Sequence, residues 1–329
     1  MPLQLTNHLR ESFAKKEECF PDVLGQESVK KQLKSALIMR RHVIIVGPPG
    51  VGKTTLAKDV SKLLPEAKVK GQFDKNAKEK KVSGEEKFVR IQGSPDLAVE
   101  DILGDIDPIK ALKFGPMSME AFTPGKIFKA NEGVLFFDEV NRCPEKLQNS
   151  LLQVLSEGKA TLGSYDLDFP TNFIFIGTMN PEDSSTEKLS QVFIDRFDII
   201  YMSYPESDAI EKKIVLEKGN KLDVKFPDEL VTFCIKFIRG LRDNKDIEEK
   251  PSVRASMGLY ERAQANAFLS KRNAVNMQDI EEAIISVIGH RITMKPSVKY
   301  VKSPEDFVKE EFRKFSNSFD FSKEKGGGL

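Results

Sequence analysis

Val43-Ile44-Ile45-Val46-Gly47-Pro48-Pro49-Gly50-Val51-Gly52-Lys53-Thr54-Thr55 reads as a buried strand that turns through a glycine-rich loop into a helix. The first four residues are apolar and mostly β-branched, the pattern of a strand covered on both faces. Gly47 to Thr54 fill every position of G-x-x-x-x-G-K-[ST]. Downstream, Leu56, Ala57, Val60, Leu63 and Leu64 recur at helical spacing until Pro65. In such a loop the backbone N–H groups and the positive end of the helix point at phosphate oxygens. Lys53 is expected to reach the β and γ phosphates and Thr54 to ligate Mg²⁺, with Gly47, Pro48, Pro49, Gly50, Val51, Gly52 and Thr55 completing the cradle for ATP.

A second strand, Val134-Leu135-Phe136-Phe137, delivers Asp138 and Glu139 at its carboxyl end. Opposite a phosphate loop, Asp138 can hold Mg²⁺ through its water shell while Glu139 polarises an attacking water. Gly177-Thr178-Met179-Asn180-Pro181 follows another apolar run, and Asn180 is placed to orient that water or touch the γ phosphate. Arg196, in Ile194-Asp195-Arg196-Phe197, and Arg254, in Pro251-Ser252-Val253-Arg254, are cations suited to stabilising charge that develops in phosphoryl transfer. Either could instead form a surface ion pair.

Further apolar runs at Phe88–Ile91, Phe173–Ile176 and Ile199–Met202 alternate with helical patterns, such as Leu147, Leu151, Leu152 and Leu155 after Pro144. That alternation predicts an α/β fold with a doubly wound, parallel, five-stranded sheet over residues 1 to 204. From Pro205 helical spacing dominates, predicting a small all-helical domain over 205 to 300. Residues 301 to 329 predict a helix from Pro304 to Phe315 and a loose, glycine-ended tail. Residues 68 to 87 carry seven lysines against four acids with few large apolar groups, and read as a solvated, mobile insertion.

Lysine plus arginine total 51 and aspartate plus glutamate 50, so no global cationic field draws the chain to nucleic acid or acidic lipid. Cys19, Cys143 and Cys234 are widely spaced, which argues against disulfides or structural zinc and for a reducing compartment. Apolar runs long enough to span a bilayer are absent, and no hydrophobic signal core opens the sequence, so the expected location is cytoplasmic.

The order of these parts resembles an AAA+ ATPase. Val23-Leu24-Gly25-Gln26-Glu27, Phe88-Val89-Arg90-Ile91-Gln92 with Pro95-Asp96-Leu97, Pro124-Gly125-Lys126-Ile127-Phe128 and Asp138-Glu139-Val140-Asn141-Arg142 resemble the MoxR branch, a near relative of the magnesium chelatase ATPase subunit. The resemblance, from about Phe20 to Ile292, implies a homo-oligomeric ring, usually a hexamer, with ATP between neighbours. It implies that Arg196 is the finger entering the adjacent site, that Arg254 is the sensor of nucleotide in the lid, and that Arg142 is a further candidate for a contact across the interface. A salt bridge within the chain accounts for Arg142 as well. Residues 96 to 130 resemble a helix-two insert and 158 to 171 a hairpin, elements that face the pore or partner in the family. The chain departs from the pattern at Met179, where relatives often carry glutamine, and between Asn180 and Arg196.

Partner remodelling, often through a separate von Willebrand factor A domain protein, is one function this implies. Asp183-Ser184-Ser185-Thr186-Glu187 falls short of a D-x-S-x-S motif, so that domain would be on another chain. The motor of a metal chelatase is the alternative. A DNA-processing motor is disfavoured by the hairpin tip from Leu162 to Asp168, which carries Tyr165, Asp166 and Asp168 but no lysine or arginine. A nucleotide-binding scaffold without turnover is disfavoured by the joint presence of Lys53, Asp138, Glu139 and Asn180.

Overall fold

The computed structural model describes residues 3–69, 80–115, 118–162, 167–181 and 189–321, which fall into two compact units. The first comprises residues up to Gly47 and Gly52–Met202; the second comprises Pro48–Val51 and Ser203 onward.

The first unit is built on five strands: β1 (His42–Val46), β2 (Phe88–Gln92), β3 (Val134–Asp138), β4 (Ile174–Met179) and β5 (Phe197–Tyr201). All pairings are parallel, in the order β5-β1-β4-β3-β2. Val43 to Ile45, Val134 to Phe137 and Ile174 to Ile176 are fully buried, as expected for strands covered by helices on both faces. Phe175 packs against Phe137 and Phe197, tying three strands into one aromatic layer. Helix α1 (Lys53–Lys62) follows β1, and α2 (Glu145–Glu157) buries Leu147, Leu151 and Val154.

β4 starts one residue later than its apolar run and continues through Gly177, Thr178 and Met179, so it ends immediately before Asn180. The reason is register: Val46 pairs with Met179, so the ladder with β1 extends β4 past its apolar run. The last strand is displaced the other way, toward its amino end, yet Met202 still donates to the Val46 carbonyl at 2.8 Å.

His42 opens β1, and its Nδ1 accepts a hydrogen bond from the Phe175 backbone N–H at 3.1 Å. Burial pushes its pKa down to about 3. The unfolded chain binds this proton near 6.5, so the stability His42 contributes above that pH is lost as pH falls toward 3, at up to about 1.4 kcal/mol per unit. Between pH 7 and 5, urea unfolding of the wild type should therefore lose about 2 kcal/mol more stability than that of His42→Gln. Equal losses would show that His42 is not the titrating group.

The lysine-rich segment differs from its sequence reading. Ala67–Val69 pairs antiparallel with Lys80–Val82, and Glu85–Lys87 forms a turn of 3₁₀ helix. Lys87 is only 2% exposed; its ammonium donates to the Glu132 carbonyl, and burial lowers its pKa. A charge count cannot register such burial, because the Lys87 stem packs where Gly133 leaves room for it. Residues 70 to 79 lie outside the described residues.

Within the 96 to 130 segment, a short helix (Val99–Leu103) leads to an antiparallel ribbon of Gly104–Ile106 with Phe122–Pro124, which encloses the helix Pro108–Phe114. Lys159–Leu162 pairs antiparallel with Leu167–Pro170, whereas residues 163 to 166 of the Leu162–Asp168 tip and the Asp183–Glu187 stretch lie outside the described residues.

The second unit contains α3 (Asp208–Lys218), α4 (Asp228–Asp243), α5 (Val253–Leu269), α6 (Met277–Ile288) and α7 (Pro304–Ser318). Serine caps start α3, α5 and α7, and an Asn276–Asp279 capping box starts α6. Helix α7 runs past Phe315, where the sequence reading ended it. Phe312, Phe315 and Phe319 ring Phe233 at centroid distances of 5.6, 5.1 and 5.1 Å, and Phe321 stacks on it at 5.9 Å. These aromatic contacts outweigh the poor helix propensity of Ser316-Asn317-Ser318 and order the chain beyond it. Residues 322 to 329 lie outside the described residues.

Candidate nucleotide site

In the first unit the sheet brings three strand ends together. β4 lies between β1 and β3, so Asn180, past the end of β4, is flanked by the start of the phosphate loop on one side and Asp138-Glu139 on the other. This is the carboxyl edge at which open α/β sheets take ligands. Lys53 opens α1, with its ammonium 2.5 Å from the Gly47 carbonyl; Thr54 and Thr55 follow it in the first turn.

Both carboxylates are held from neighbouring strands. Asp138 accepts from Thr178 Oγ1 at 2.6 Å through Oδ1 and from Arg90 Nη2 at 2.6 Å through Oδ2. Thr178 Oγ1 also accepts the Glu139 backbone N–H at 3.0 Å, so one buried hydroxyl sets both residues. Glu139 Oε2 accepts from Gln92 Nε2 at 2.8 Å and lies 3.3 Å from Arg142 Nε. Arg142 therefore forms the intrachain salt bridge that the sequence left open as an explanation. Glu139 has φ 53°, a left-handed conformation uncommon for a side chain larger than glycine.

Gly93 explains how that turn is accommodated. Its N–H donates to the Asp138 carbonyl at 2.7 Å, and a Cβ added there would lie 2.0 Å from the Glu139 carbonyl oxygen. The sequence pattern assigns no role to Thr178, Arg90, Gln92 or Gly93. The available signal was the placement of polar residues where β2 and β4 end beside β3. Thr178→Val keeps the shape but removes a donor from Asp138 and an acceptor from Glu139, and should destabilise the chain by about 1–3 kcal/mol in urea unfolding. An unchanged midpoint would show that this hydroxyl bridges nothing of consequence.

Asn141 donates to the Asn180 carbonyl at 3.5 Å. Arg196 is exposed on the loop before β5, with its Nε on Ser156 Oγ and its Nη1 on the Val192 carbonyl, both at 3.0 Å. In the second unit Ser252 and Arg254 stand against Gly50: a Cβ there would lie 2.8 Å from Ser252 Oγ and 3.2 Å from Arg254 Cγ.

The oxygen donors of Thr54 and Asp138 are of the kind that fits magnesium. The Thr54 hydroxyl and the Asp138 carboxylate are hard oxygen ligands, and the described residues contain no group of three or more His, Cys, Asp or Glu able to cage an ion. A cation that keeps several waters and takes its other ligands from phosphates needs no such cage. No described helix is long and apolar enough to cross a membrane.

A phosphate loop on β1, the β5-β1-β4-β3-β2 order and a helical second unit define an AAA+ α/β protein. Residues 19–191 match the family model described as magnesium chelatase, subunit ChlI, and residues 242–311 match an AAA lid domain. The chain belongs to the magnesium chelatase ChlI family of AAA+ proteins. It is 27% identical to a magnesium-chelatase subunit ChlI homolog of Methanocaldococcus jannaschii, over 91% of each chain. It is 26% identical to the chaperone MoxR1 of Mycobacterium tuberculosis, over 83% of this chain and 73% of that protein. A Thermotoga maritima RuvB structure shares the fold, with TM-score 0.52 and 20% identity over 81% of this chain and 70% of that one.

Proposed function

We propose that this AAA+ protein hydrolyses Mg-ATP in a homo-oligomeric ring, most simply a hexamer, and uses the cycle to remodel or activate a separate protein partner. The observation that carries the reading is the parallel register that sets Asn180 between the phosphate loop and the Asp138-Glu139 pair. Residues Gly47 to Thr55 hold the nucleotide phosphates, and Thr54 and Asp138 hold the ion. Bound magnesium supplies charge neutralisation on the β and γ phosphates. Among the described residues the side-chain contacts of Glu139 fall on Oε2, and Oε1 takes the proton from water. Asn180 orients that water. Arg196, exposed on its loop, serves a neighbouring subunit's site, and Arg254 reads the nucleotide beside Gly50. Arg142 acts first on Glu139 of its own chain, and contact across an interface is secondary.

The chelatase motor is a second reading, favoured by the family match and by relatives named as chelatase subunits. The ATP chemistry would be identical; only the partner differs. The experiment is phosphate release by the purified full chain with Mg-ATP, alone, with single- or double-stranded DNA, with a von Willebrand factor A domain protein, or with porphyrin and the other chelatase subunits. Partner remodelling predicts stimulation by the protein partner and none by DNA at roughly physiological salt, where contacts to several phosphates would still register. Magnesium insertion into the porphyrin would establish the chelatase reading. Severalfold, salt-sensitive stimulation by DNA would overturn both.

A further inference from the structure

Glu211 is fully buried in the second unit, an unusual place for a carboxylate in a helix remote from the loop chemistry. It accepts from Arg242 Nη1 at 2.6 Å and Nη2 at 2.7 Å, a two-pronged pair, and from Ser256 Oγ at 2.5 Å. Arg239 Nη1 approaches it at 3.5 Å while donating to the Pro205 carbonyl at 2.8 Å. Arg242, itself buried, spends its remaining Nε donor on the Pro251 carbonyl at 2.8 Å and places its guanidinium 4.6 Å from the centre of the Tyr204 ring.

Stability alone does not explain this cluster, because a buried ion pair is often no better than apolar residues of the same volume. What it supplies is position. The Arg242 bond to Pro251 and the Glu211 bond to Ser256 grip the chain on both sides of Arg254, at the amino terminus of α5. There the Ser252 cap accepts from the Arg254 N–H, and both side chains rest on Gly50.

We propose that the Glu211–Arg242 pair is a positioning device that fixes the amino terminus of α5 so that Arg254 meets the nucleotide beside Gly50. The inference rests on the nucleotide-reading role given to Arg254 above. Glu211 and Arg242 act through Arg254 and touch no nucleotide themselves. An apolar replacement that preserves packing therefore separates the two contributions: folding tolerates it, and nucleotide affinity does not.

The test is a double-mutant cycle on the full chain carrying Glu139→Gln, with Mg-ATP affinity read by calorimetry and folding by urea unfolding. Combined Glu211→Leu and Arg242→Met should still unfold cooperatively, losing no more stability than the stranded Ser256 hydroxyl and Pro251 carbonyl account for, and should weaken ATP about tenfold. Arg254→Ala should weaken it at least as much, and adding the apolar pair to Arg254→Ala should cost nothing more. Ser256→Ala, which leaves the ion pair intact, should show a smaller loss that also vanishes in the Arg254→Ala background and serves if the apolar pair does not fold. Multiplying losses, or unchanged affinity in the folded apolar variant, would overturn the positioning role while leaving Arg254 its own. Unchanged affinity in Arg254→Ala would remove the nucleotide-reading role and this inference with it.

Discussion

Glu139→Gln is expected to bind Mg-ATP as well as the wild type does and to lower turnover by at least about 10²-fold. The amide retains the shape and keeps an oxygen for Gln92, but it cannot take the proton of an attacking water. On the proposed reading the ground-state contacts to phosphate come from the loop and Lys53, so the loss should fall on kcat rather than on affinity. The variant also loses the charge that faces Arg142 at 3.3 Å, on a partly exposed pair whose contribution to stability is small. Phosphate release together with nucleotide titration checks both halves. Undiminished hydrolysis would remove Glu139 from the mechanism.

Arg196→Ala is expected to abolish most hydrolysis by each homogeneous ring, on the order of 10³-fold for an arginine acting on the transferred phosphoryl group. Its present partners, Ser156 and the Val192 carbonyl, are neutral, so its removal strands no buried charge and the fold should survive. The informative experiment mixes two inactive proteins, Arg196→Ala and Lys53→Ala. At a mixed interface, one subunit contributes an intact phosphate loop and its neighbour an intact arginine, so some hydrolysis should return. No recovery over a range of mixing ratios, with turnover per chain independent of protein concentration, would mean that each chain completes its own site.

Much of this architecture is legible in the amino-acid order for a physical reason. Strands buried on both faces must be apolar throughout, so Val43 to Val46 and Val134 to Phe137 announce themselves, and the residues that follow them are fixed at the ligand edge of the sheet. The parts that sequence did not reveal depend on partners far away in the chain. Thr178 matters because β4 lies beside β3, and Gln92 because it stands in register with Asp138 across β2 and β3. Gly93 looks like any turn glycine until the Glu139 carbonyl is seen against it. Lys87 reads as one charge in a lysine-rich run, yet the fold buries it. The Glu211–Arg242 pair joins residues 31 apart in a helical region whose spacing predicts only an apolar core.

The most direct measurement is steady-state phosphate release from ATP by the purified full chain, compared with Lys53→Ala, with and without Mg²⁺ and across protein concentrations that span assembly. Wild-type turnover per chain should require Mg²⁺ and rise with concentration as rings form, and Lys53→Ala should lose both nucleotide binding and turnover. Wild-type release no greater than that of Lys53→Ala at every concentration would contradict the assignment of this site as an ATP-hydrolysing centre.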